Sequence, residues 1–201
     1  MKTVRFTQMK DGSAEDYALL SAYEHAYVAG TAERVLAALG DLAEGFSGYQ
    51  VSRLDHSLQS ATRAWRDGAD SDWIVTALLH DIGDGLAPHN HDEFAAAILK
   101  PFVREQCSWV CATHADFQLL YYGHHVGADR LKRERHRGHR YFDDCVEFCE
   151  RWDQASFDPD YDTLPLDHFA PLVRDVFARK PYDPAVLRPA AREPLVRVAA
   201  I

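Results

Sequence analysis

The sequence predicts an all-α fold, and three observations carry that expectation. Apolar residues recur at three- and four-residue spacings along most of the chain, the period of one helix face. No segment of convincing length alternates with the two-residue period of a strand. Ser, Thr, Gly and Pro stand where such helices would start and stop. Residues 14–30 and 31–42 form two amphipathic stretches, with Ser13 and Thr31 placed as N-caps and Gly45 as a stop. Residues 51–65 predict a third helix, closed by the Asp67-Gly68 turn. Ser71 is placed to cap a fourth, whose run WIVTALLH is apolar nearly all round and therefore belongs at the centre. Beyond the Gly83-Asp84-Gly85 break and the Pro88 turn, residues 92–100 and 101–112 follow, with Pro101 suited to a first helical turn. Residues 142–155 and 167–178 complete the helical set. The tail beyond Lys180, with Pro181, Pro184, Pro189 and Pro194, reads as an extended arm fit to lie along another surface or a second subunit, which leaves a homodimer open.

A chain of 201 residues fits one domain, 1–201, able to bury roughly 70% of its unfolded surface. Its core is expected near residues 50–158, flanked by the N-terminal helices 14–42 and by a C-terminal helix and tail over 165–201. Twenty-two Lys and Arg against 31 Asp and Glu give a net charge of −9, which repels a phosphate backbone and argues against nucleic acid as a general partner. One segment departs from this, RLKRERHRGHR over 130–140, which reads as a solvated basic face or a guide for an anionic substrate. No apolar run reaches the roughly 20 residues of a membrane helix, and the opening MKTVRFTQMKDGS lacks the pattern of a secretory signal, so a cytoplasmic protein without membrane partners is expected. Four cysteines fall as two C-x3-C pairs, Cys107/Cys111 and Cys145/Cys149, and are expected to be reduced and buried.

Chemistry concentrates in a few polar residues set in apolar surroundings. The central helix ends in His80-Asp81, before a glycine-containing loop. His56 stands among Leu54, Leu58 and Ala61, where a lone histidine would be a satisfied core residue. His91 opens a helix with the small Ala95 and Ala96 one turn on, His114 ends another, and Asp153 closes the aromatic, thiol-rich run FCERWD. An unpaired carboxylate inside protein costs several kcal/mol, and a bound cation is the strongest compensation. His89 competes with His91, which the small following residues favour.

The order H…HD…H…H…D, spanning 98 residues from His56 to Asp153, resembles the HD-domain superfamily, a helical bundle with a five-helix core that holds two metals. The resemblance implies that His56, His80 and Asp153 hold one ion, His91 and His114 the other, and that Asp81 bridges them. Four imidazoles and two carboxylates suit iron, with manganese or zinc as alternatives, better than calcium or magnesium. Through QVSRLDHSLQSA, LLHDIGD, NHDEFAA, HADFQ and FCERWDQASFD the chain resembles the mixed-valent di-iron oxygenases of this superfamily, the hydroxyphosphonate oxygenases and myo-inositol oxygenase. That likeness implies an Fe(II)/Fe(III) pair that uses O2 on a small-molecule substrate, cleaving a carbon–phosphorus bond and releasing phosphate.

Two positions depart from those relatives. A Tyr and a Glu that cover the metals there, ten and seven residues before the first ligand, are replaced by Phe46 and Tyr49, and Tyr49 is the candidate for a labile ligand or catalytic cover beside Asp81. Three residues beyond the HD aspartate stands Asp84, which suits a substrate with an ammonium or trimethylammonium end. Tyr23, Tyr27, Phe117, Tyr121 and Tyr122 could cage such a group. Gln118, His124 and Arg151 are candidates for meeting phosphonate oxygens or supporting the ligands. A structural zinc site on Cys107, Cys111 and His114, which share one helical face, is a further arrangement. The rival functions are a metal-dependent phosphohydrolase acting on a nucleotide or other phosphate ester, and a sensing module that keeps metal as structure.

Overall fold

The computed structural model describes residues 2–45 and 47–196, so Phe46 lies outside the described residues. The fold grows around α4 (Ser71–Leu79), in which every residue from Asp72 to Leu79 is buried, as a helix apolar on all sides requires. Against it packs α3 (Arg53–Arg66), opened by a reciprocal cap in which the Ser52 hydroxyl accepts from the Asp55 N–H at 3.0 Å and the Asp55 carboxylate accepts from the Ser52 N–H at 3.1 Å. Next come α5 (His91–Leu99) and α6 (Glu105–Tyr122), packed on each other, and α7 (Phe142–Phe148) on the far side of α6. These five helices form the core. Outside them lie α1 (Ala14–Ala29), α2 (Thr31–Gly40), α8 (Leu166–Phe177) and the short α9 (Pro184–Leu187), with α8 packed against α2 and α4. Among the described residues there is no strand, so the all-α expectation holds.

Several local expectations are corrected. Asp70 caps α4 instead of Ser71, its carboxylate accepting from the Trp73 N–H at 3.2 Å, because the Ser71 hydroxyl is engaged by Arg179 at 3.1 Å. Thr31 lies inside α2 and donates back to the Val28 carbonyl at 2.7 Å, while Gly30 holds the cap position. Pro101 sits in a turn, and α6 starts at Glu105 and runs through to Tyr122, well past residue 112, because Val110, His114 and Phe117 continue one buried face. His114 is therefore mid-helix. Along α1 only Asp16 is buried, so this helix lacks the apolar contact its spacing suggested.

The described part of the tail, 181–196, folds back on its own chain. The Tyr182 N–H donates to the Pro101 carbonyl at 2.8 Å, Glu193 exchanges hydrogen bonds with Gln106, and Leu195 is buried. The basic segment is likewise tied down. Lys132, Arg135 and His136 converge on buried Asp116 at 2.8, 2.5 and 2.7 Å, and Arg137 pairs with Glu134. No helix of the described residues is long and apolar enough to cross a membrane.

Leu78 has no solvent exposure, and the helices around it leave little room to collapse. Leu78→Ala should therefore cost about 2–5 kcal/mol in urea unfolding. A loss below about 1 kcal/mol would contradict the central place given to α4.

Candidate metal centre

Six side chains from five segments meet at one end of this core. His56 comes from α3, His80 and Asp81 from the C-terminal end of α4, His91 from the first turn of α5, His114 from the middle of α6, and Asp153 from beyond α7. The last placement depends on a departure from α-helical geometry. Residues Cys149–Asp153 form a π-turn, in which the Gln154 N–H reaches the Cys149 carbonyl at 3.0 Å, and the extra residue carries Asp153 round toward α3 and α4. His91 depends on a glycine. A Cβ at Gly83 would stand 2.6 Å from the His91 carbonyl oxygen and 2.7 Å from its Cα, so only glycine lets the loop after Asp81 pass the start of α5.

The cluster divides into two halves that share Asp81. Its Oδ2 lies 3.2 Å from both His56 Nε2 and His80 Nε2, while Asp153 Oδ1 lies 3.3 and 3.5 Å from the same two nitrogens. Asp81 Oδ1 faces the other way, 3.2 Å from both His91 Nε2 and His114 Nε2. His89, by contrast, is exposed and outside the cluster.

The ring nitrogens show why this arrangement fits cations. His56, His80 and His114 each donate Nδ1–H to a backbone carbonyl, of Ser156 at 2.9 Å, Ala77 at 2.8 Å and Cys111 at 2.7 Å. His91 Nδ1 lies 3.6 Å from the Asp84 carboxylate. With Nδ1 carrying the proton, each neutral ring presents a lone pair at Nε2, and His56 and His80 aim theirs at each other across 3.1 Å. Lone pairs facing one another and two carboxylates repel unless positive charge lies between them. Separations of 3.1–3.5 Å are the edges of a coordination shell with bonds of about 2.0–2.1 Å. Asp153 Oδ2 is buried without a hydrogen-bond partner, a second sign that the acid faces a cation.

Without metal, protons take the cations' place. Burial pulls the His80 imidazole down, but Asp81 and Asp153 outweigh it and raise its pKa well above the ordinary value. His56 and His91 are raised against burial by the same carboxylate chemistry. Burial pushes Asp81 and Asp153 up, yet the facing His80 holds both far below the usual carboxylate range, with Arg53 adding to the effect at Asp81.

The centre floors a cavity of about 480 Å³ walled by Tyr49, Tyr121, Tyr122 and Phe157, with Arg53, Asp84, Gln118 and Gln154 among its polar lining. Phe157 stacks on His56 and against Tyr49, with ring centroids 4.4 and 4.9 Å apart. Other candidates lie elsewhere. Tyr23 and Tyr27 stand on α1, where they bond to the Lys2 carbonyl and lie under Arg34. Phe117 is core. His124 is exposed beyond α6 and stacks on His125, and Arg151 pairs with Asp67 and Glu147 around a different pocket. None of these lines the cavity, nor does any residue of the basic segment 130–140. The thiols form no zinc site: His114 turns Nε2 to Asp81, burial pushes the Cys107 and Cys111 thiols well up, and among the described residues neither joins a ligand group.

Sequence reasoning missed Arg53. One turn before His56, it donates from Nε to Asp84 at 2.5 Å and from Nη2 to Asp81, so it joins the bridging acid to the acid beside His91. The signal available was its position, three residues before a candidate ligand on the same helical face.

Fold and site together define a helical domain built to hold metal. A family model for the HD domain matches residues 53–153, from the first residue of α3 to the last of the π-turn, just over half of the chain. The protein belongs to the HD domain family, whose members are generally metal-dependent enzymes. No curated protein gives a significant match to the chain.

Two measurements follow from this geometry. Gly83→Ala should displace His91 and lower bound metal from two ions toward about one per chain by elemental analysis, whereas Asp81→Ala should lower both. Retention of both ions by Gly83→Ala would break the link between this glycine and the second half. Raised histidines stabilise the metal-free fold fully below their unfolded pKa of about 6.5 and lose that contribution as pH rises through the folded value. The depressed carboxylates contribute above about pH 3.9 and fade on acidification. Cations displace imidazole protons, so their stabilisation grows as pH rises. The Tm gap between metal-loaded and metal-free protein should widen between about pH 5.5 and 8 in thermal melts, and a constant gap would contradict it.

Proposed function

We propose that this protein is a dinuclear iron oxygenase that uses O2 to cleave the carbon–phosphorus bond of a small hydroxylated organophosphonate, releasing phosphate. The observation that carries the reading is the division of Asp81, one oxygen toward each imidazole pair. His56, His80 and Asp153 would hold one ion and His91 and His114 the other, a nitrogen-rich set that suits iron, with manganese or zinc as alternatives. The bound pair would supply redox chemistry toward O2 and polarise substrate oxygens.

The chain's own groups do the rest. The Nδ1 hydrogen bonds hold the rings of His56, His80 and His114 in place, and the Asp84 carboxylate lies 3.6 Å from Nδ1 of His91, so that little reorganisation would accompany binding. Tyr121, Tyr122 and Phe157 wall the cavity with aromatic rings that would limit water beside a bound substrate. Tyr49, half exposed and stacked on Phe157 at the rim, is placed to cover the His56 half. Gln118 brings a buried amide nitrogen without a hydrogen-bond partner to the lining, a donor ready for a phosphonate oxygen.

Protein reconstituted anaerobically with iron should release phosphate from hydroxyphosphonates only after O2 is admitted, and His91→Ala should lower the rate by on the order of 100-fold or more. Oxygen-independent turnover of phosphate esters by the manganese-loaded protein would replace this reading with a phosphohydrolase. Bound metal without turnover of either class would leave a sensing module.

A further inference from the structure

We propose that Arg53 is the specificity-determining residue of the cavity, reading the anionic end of the substrate, and that Asp84 is its positioning partner. The inference rests on the reading of the cavity as a metal-dependent active site. Among the described residues Arg53 is the only guanidinium or ammonium group lining that cavity. Its side chain is 11% exposed and held at two points, by Asp84 and Asp81, beside the ring of Tyr49 at 5.6 Å. Two of its nitrogens are committed to those acids. Among the described residues Nη1 donates no hydrogen bond, so half of a planar fork suited to two oxygens of an oxoanion remains for a ligand.

Charge points the same way. The lining holds three carboxylates, Asp81, Asp84 and Asp153, against Arg53. Two divalent cations reverse that balance, and a positive cavity attracts an oxoanion and opposes an ammonium group. The Asp84 carboxylate, read from sequence as a receptor for a cationic end, is already shared between Arg53 at 2.5 Å and His91 at 3.6 Å. Its work is to aim the guanidinium and to orient the ring.

The test is calorimetric titration of the anaerobic iron-loaded protein with two probes, methylphosphonate as a small oxoanion and imidazole as a neutral metal ligand. Arg53→Gln should weaken methylphosphonate by about 10-fold or more and leave imidazole within about two-fold. Asp84→Asn, which frees the guanidinium to wander, should also weaken methylphosphonate; if Asp84 merely repelled the anion, binding would tighten and the proposal would fall. Should Arg53→Gln load metal poorly, Arg53→Lys decides, because it keeps the charge and loses the fork: methylphosphonate should weaken several-fold. Unaltered affinity in a metal-replete Arg53 variant, no binding by the parent protein, or choline binding that depends on Asp84 would each overturn the assignment. No arm requires O2 or turnover, so an Arg53-dependent affinity without oxygenase activity would sink only the function proposed above, and oxygenase activity with Arg53-independent affinity only this inference.

Discussion

Two carboxylates and four imidazole nitrogens, each within about 3.5 Å of at least one other on the largely buried floor of a cavity, repel strongly unless positive charge lies among them. Everything else at this end of the molecule serves that condition. The five core helices are rigid supports that bring six groups from distant parts of the chain to one place, and the carbonyl partners of Nδ1 decide which edge of His56, His80 and His114 looks inward. Cations remove the repulsion when bound; protons on His56, His80 and His91 moderate it otherwise. The same electrostatics explain why Asp81 is so far below the ordinary carboxylate range despite its burial.

Arg53 extends this logic outward. A guanidinium beside a centre that gathers cations is costly unless acids hold it, and Asp81 and Asp84 do so from two sides. The resulting chain, Arg53 to Asp84 to His91, connects the wall of the cavity with an imidazole of the second half. The guanidinium proposed to read a substrate and the imidazole proposed to hold an ion are thereby coupled through one carboxylate.

What could be read from sequence was what is local or strongly patterned. WIVTALLH had to be central because no face of it tolerates water, and it is wholly buried. The Ser13 cap and the Asp67-Gly68 stop follow from backbone hydrogen-bonding and from the positive φ of Gly68, and both stand. The ordered set His56, His80-Asp81, His91, His114, Asp153 was visible because polar residues that singly could be satisfied core groups recur together in one order in apolar helices, and the structure brings them together. Partnerships across long separations were hidden. Nothing in the local pattern announces that Arg53 reaches Asp84, 31 positions on, or that Lys132, Arg135 and His136 of the basic segment end on Asp116. Tyr23 and Tyr27 were plausible for the cavity by residue type alone, and α1 carries them elsewhere. Helix ends misread at Ser71, Thr31 and Pro101 were decided by competing side chains and by a buried face that continued.

The π-turn has a consequence for how this chain can change over time. An ordinary surface loop absorbs the insertion or loss of one residue, and even a regular helix can pass the shift on to its end. Between Cys149 and Asp153 the count itself is functional: removing one residue would restore regular winding and swing the last acid about 100° round the axis, the rotation per residue of an α-helix. This short stretch is therefore closed to length variation, and natural diversity should accumulate in side-chain identity there instead of in spacing.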